Sequence, residues 1–61
     1  MKRLEQLIQL ERLINVGIVV SEKHRDDAKD RNDNEHYSYF LGEIAAYVRV
    51  LKVVKDIIKG V

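Results

Sequence analysis

The sequence predicts an all-α fold: a two-helix antiparallel hairpin that pairs with a second copy into a four-helix bundle, a homodimer. Three observations predict it. Apolar residues recur at spacings of three and four in both halves of the chain. A polar stretch rich in Asn and Asp separates those halves, and more apolar surface is present than one hairpin can cover. Proline is absent and only 3 glycines occur, so the strongest helix breakers are missing.

In the first half Leu4, Leu7, Leu10, Ile14 and Ile18 form a row that Ser21, Arg25 and Ala28 continue, one face of a helix at ~3.6 residues per turn. In the second half Phe40, Ile44, Tyr47, Val50, Leu51, Val54, Ile57, Ile58 and Val61 make a similar stripe. Between them lies KDRNDNE, residues 29–35, whose Asn and Asp side chains cap helices and tolerate turns. Asn32 with Glu35 fits a capping box, and Asp33 is an alternative cap. The expected boundaries are a helix over about 3–30, a turn over about 31–33 and a helix over about 33–59, one domain spanning 1–61. At ~1.5 Å rise per residue each helix is about 40 Å long, the proportions of an αα-hairpin.

INVGIVV, residues 14–20, is rich in β-branched residues and alone reads as a strand. Its flanks are helical and the chain offers no strand to pair with it, so it is expected to be helical. Leu13, Val16, Val19 and Val20 project away from the main row, which makes this segment apolar nearly all round, the pattern of a helix surrounded by protein. Val48 and Leu41 lie outside the stripe of the second helix, and Gly42, Ala45 and Ala46 permit close approach of another backbone. A second hairpin would cover these surfaces. The alternative is a monomeric hairpin with surface valines, in a size range where a lone helix pair rarely holds together.

Composition excludes several classes. The 61 residues contain no Cys, which removes disulfides and thiolate metal sites and suits the cytoplasm. Glu5 and Glu11 interrupt the N-terminal leucines, so no signal peptide is expected, and runs such as Ile18-Val19-Val20 fall far short of the ~20 residues a membrane span needs. Eleven basic and 10 acidic residues leave a net charge of +1, too little to draw the chain toward nucleic acid or an anionic bilayer.

Glu43 raises a question of its own, because it interrupts the apolar stripe that holds Tyr39, Phe40, Ala46 and Tyr47. If the turn centres near residue 32, facing residues have numbers adding to about 64, which sets Glu43 level with Ser21 and within a turn of His24 and Arg25. The reading is a polar network of Ser21, Arg25, Tyr39 and Glu43, built on an Arg25–Glu43 ion pair, since buried charges persist only when paired. A competing arrangement brings His24, His36, Glu43 and Tyr39 together as metal ligands or acid–base groups. There is no HExxH, no ExxH pairing of the di-iron type and no Gly-rich phosphate loop, so no metal, no cofactor and no catalysis are expected.

The segment SEKHRDDAKDRND, residues 21–33, alternates acids and bases, the mark of a solvated helix face. With His24, Asp27, Arg31, His36 and Tyr37 it forms a candidate surface for a partner protein or ligand. Met1, Lys2, Arg3, Lys55 and Lys59 make the other end basic. All four aromatic residues lie at 37–47, away from that end, which argues against base stacking on RNA there.

HYSYFLGEIAAYVRVLKVV, residues 36–54, resembles the second helix of small helical-hairpin proteins from bacteriophages and mobile elements. The resemblance covers about a third of the chain and implies a helical dimer that binds and blocks a host protein, anti-phage defence proteins included, in the host cytoplasm. It brings no catalytic residues with it. The expectation is therefore a homodimeric interaction module acting as an inhibitor or regulator. Two alternatives are an oligomer sequestering an anionic nucleotide through His24, Arg25, Arg31, His36 and Tyr37, and an RNA-binding four-helix bundle.

Overall fold

The computed structural model describes residues 2–61; Met1, placed above at the basic end, lies outside the described residues. Helix α1 runs Lys2–Asp30 and helix α2 runs Asn34–Lys59, antiparallel, with no strand among the described residues. The segment 14–20 is helical throughout, because its helix-forming flanks propagate through it and nothing offers a ladder to pair with.

The turn is built from three successive residues. The Asp33 N–H donates to the Ala28 carbonyl at 2.8 Å and the Asn32 N–H to the Lys29 carbonyl at 3.1 Å, which together make a Schellman closure of α1. That closure needs a left-handed residue, and Asn32 takes it with φ 57°, Asn being one of the few L residues that tolerate the region. Asn32 therefore ends α1 and does not open α2. Asp33 caps α2 instead, its carboxylate accepting from the His36 N–H at 3.1 Å.

The helices meet along a seam with a strict seven-residue repeat. Half-buried Ile8, Gly17 and Glu22 on α1 and Glu43 on α2 flank the seam, whose own positions on α1, all buried or half-buried, are Leu4, Leu7, Glu11, Ile14, Ile18, Ser21, Arg25 and Ala28. On α2 they are Tyr37, Phe40, Ile44, Tyr47, Leu51, Val54 and Ile58. These are the a and d positions of a heptad, the pattern of an antiparallel coiled coil. The seam corrects the sequence reading in two places. Glu11, not Leu10, occupies it on α1, and Val50 and Ile57 flank it on α2, with Leu10, Val50 and Ile57 all exposed. Gly17 makes room for the Tyr47 ring, since a Cβ there would lie 3.0 Å from it and the ring would have to shift.

The seam is thin. Among the described residues only Ile14, Ala28 and Val54 are buried hydrophobics, and the small polar Ser21 is buried with them. The molecule measures 46 × 14 × 10 Å with a radius of gyration of 14.1 Å, against about 10.5 Å for a globular chain of this length. It is one helix thick. Domains are normally built from two packed layers around a core, and this chain supplies one.

Candidate functional site

Three local constellations occupy the turn half. At the turn, Asp33 receives both the His36 backbone N–H and the His36 ring, with Nδ1 at 2.6 Å, while Arg31 Nη2 stands 3.8 Å away. These partners hold the Asp33 carboxyl below the ordinary carboxylate value: the backbone bond contributes most, then the ring bond, and the charges of His36 and Arg31 follow. One turn further in, the His24 ring stacks on Phe40 with centroids 5.2 Å apart and planes inclined by 23°. Tyr39 meets Phe40 edge-on at 5.0 Å, a favoured aromatic geometry.

Beyond them Ser21 Oγ donates to Glu43 Oε1 at 2.5 Å across the two helices. Ser21 is only 1% exposed, so its hydroxyl has no water to turn to. An unpartnered buried hydroxyl costs about 1–3 kcal/mol. The carboxylate on the opposite helix removes that penalty, and no buried side-chain polar atom lacks a partner among the described residues. Glu43 thus lies on the edge of the seam, half-buried, as the acceptor for a buried serine.

The polar network differs from the sequence reading. Ser21 and Glu43 come together in the register expected from the hairpin. Arg25 joins no cross-helix ion pair; its guanidinium turns along its own helix to Asp26, with Nη2 at 3.1 Å and Nε at 3.1 Å from Oδ1. Pairing with Asp26 at the surface spares Arg25 the cost of leaving water. Tyr39 does not join the network either, being 61% exposed. His24, His36 and Glu43 do not converge, since each is engaged with a different partner. No group of three or more metal-ligating side chains occurs among the described residues.

Of the candidate partner surface, His24, Asp27, Arg31 and His36 are exposed, whereas Tyr37 is half-buried in the seam. Sequence reasoning missed the His36–Asp33 pair and the His24–Phe40 stack. Signals for both existed, an i,i+3 spacing for the first and the same facing register for the second.

The other large feature is the exposed apolar surface. Among the described residues twelve large hydrophobics are exposed, from Leu41 at 42% to Leu13 at 68%. A shallow open hollow of about 350 Å³ lies along α2, lined by Val48, Leu51, Lys52, Lys55, Asp56 and Lys59. No described helix is long and apolar enough to cross a membrane. No family model, curated protein or solved structure matches the chain.

Proposed function

We propose that the chain is a homodimeric interaction module: two hairpins pack into a four-helix bundle, and the bundle regulates a larger protein by binding it. The observation that carries this reading is surface area. The chain exposes 4974 Å², whereas a folded monomer of 7.1 kDa is expected to expose about 4,100 Å². The excess, on the order of 900 Å², is close to what one partner contributes to a stable interface, about 800 Å². A three-residue hydrophobic core explains the shortfall in burial, and a second hairpin would supply the missing layer.

The turn half stands apart from this need for cover. Asp27, Arg31 and His36 are exposed there on a frame set by Asp33, and such a fixed polar surface suits recognition of a partner protein. The resemblance of residues 36–54 to phage hairpins supports a host protein as that partner and inhibition as the outcome. Separate engagement of His24, His36 and Glu43 supports binding over catalysis.

The test has two parts. At micromolar concentration, native mass or sedimentation is expected to give twice the 7.1 kDa chain mass, and a well-folded species at the single-chain mass overturns the reading. The dimer is further expected to capture one host protein stoichiometrically. The variant Arg31→Ala with His36→Gln, at the tip of the hairpin, should abolish capture while leaving the dimer intact.

A further inference from the structure

The apolar surface is not spread evenly around the hairpin. In the heptad frame, the positions flanking the seam on one side of α1 are g and c, and those on the other side are e and b. Because α2 runs the opposite way, its residues wind in the opposite sense seen from one end. Its g and c positions therefore come to the same side as those of α1. The cross-helix contacts agree: Gly17 and His24 are g positions touching Tyr47 and Phe40, and Glu43 is the g position that binds Ser21.

Along the middle of that side lie Leu10, Leu13 and Val20 from α1 and Val50, Val53 and Ile57 from α2, all exposed. The positions between them are Gly17 and Ala46, so this stretch contains no charge. At the same levels the opposite side mixes Ile8, Val19 and Val48 with Arg12, Asn15, Lys52 and Lys55. The rows on the first side are centred near residue 14 on α1 and residue 53 on α2, which faces residue 11, so the two centres lie within about one helical turn of each other.

Charge is divided along the length. The open half, residues 2–21 and 44–61, carries seven basic and three acidic side chains. The turn half, residues 22–43, carries four basic and seven acidic ones. The net formal charges are +4 and −3, matching the +1 of the chain.

We infer that a second copy of this chain docks on the Leu10–Leu13–Val20 and Val50–Val53–Ile57 face, turned end for end. The acidic turn half of each hairpin then lies over the basic open half of the other. This inference rests on the dimeric reading above and adds the face and the orientation. A two-fold axis crosses the face at the level of Val50. It sets α1 against the partner's α1 and α2 against the partner's α2, each antiparallel. The alternative two-fold runs along the helices and sets halves of like net charge, +4 on +4 and −3 on −3, over each other, which Coulomb repulsion disfavours.

The absence of Cys allows a single engineered thiol to report the orientation. A nitroxide on Asn34→Cys, at the exposed turn, is expected to give a dipolar distance of roughly 45 Å between copies, from ~1.5 Å per residue on either side of the axis. A distance under about 20 Å, two helix diameters, overturns the orientation while leaving the dimer standing. The face is tested separately. Val50→Lys is expected to convert the dimer to monomer at micromolar concentration, and Val19→Lys, which alters a more exposed valine on the other side (64% against 49%), to leave it dimeric. The reverse pattern overturns the face. Should Val50→Lys lose its helical circular dichroism, the label distance in the otherwise unaltered chain still decides. A monomeric parent chain instead removes the dimeric reading itself.

Discussion

At the turn, Asn32 closes α1, Asp33 opens α2, and Arg31 and His36 both find their partner in Asp33 within a few residues. In the open half the backbone is just as regular, yet the side chains are left without cover: Leu13 and Val53 are more than half exposed, and Ile14 and Val54 are the buried hydrophobics there. Local interactions complete the first region, since capping and i,i+3 bonds form wherever the chain bends. The second can be completed only by long-range burial, which two helices one layer thick cannot provide. Local order of the turn itself should therefore be independent of protein concentration, and stability of the body of the hairpin should depend on it.

The largest effect separates the two regions directly. Ile14→Ala removes one of the few side chains that bury well in the seam. Large-to-small changes at such sites cost about 2–5 kcal/mol, comparable to the entire stability expected of so small a chain. Melts should show the variant largely unfolded at dilution and partly rescued as concentration rises. A melting temperature within a degree of the parent chain would place the stabilising core elsewhere.

A smaller effect is expected at the junction of the two regions. Glu43→Ala leaves the Ser21 hydroxyl buried without its acceptor, a loss of about 1–2 kcal/mol. Ser21→Ala added to it should recover most of that loss, because both polar partners are then gone. Arg25→Leu added to it should recover nothing, since Arg25 pairs with Asp26. A double-mutant cycle reads the coupling, and coupling to Arg25 in place of Ser21 would restore the ion pair that the sequence suggests.

That contrast shows what the sequence conveyed and where it was ambiguous. The spacing of Leu4, Leu7, Ile14 and Ile18 specified the helix, and the polar turn specified the register that brings Ser21 to Glu43. The phase around α1 was harder to read. A segment apolar on all sides allows both Leu7–Leu10–Ile14 and Leu7–Glu11–Ile14, and only the position of α2 selects the second. Asn32 and Asp33 are both good caps, and nothing local reveals that closing α1 requires a left-handed residue. Arg25 sits on the inward row, but its long stem lets the charge leave that row for Asp26, a freedom that periodicity does not report.

The smallest effect belongs wholly to the turn, and its pH dependence follows from Asp33. Its carboxyl is held below the unfolded value by bonds from His36, so the folded state keeps the ionised form longer than the unfolded chain does. The cap therefore stabilises above the unfolded value of about 3.9. That contribution disappears as pH falls through the lower folded value. Asp33→Asn keeps a capping oxygen but has no proton to gain. Melts of the two chains should differ by a constant amount above pH ~5 and converge or cross below pH ~4, other carboxylates cancelling in the difference. His36→Gln retains the backbone bond and loses the ring, so it should shrink the acid-dependent part without removing it, because the backbone bond is the larger cause. Both results should be the same at every protein concentration, as a self-sufficient turn requires. A pH effect that grows with dilution would instead tie Asp33 to the contact between copies.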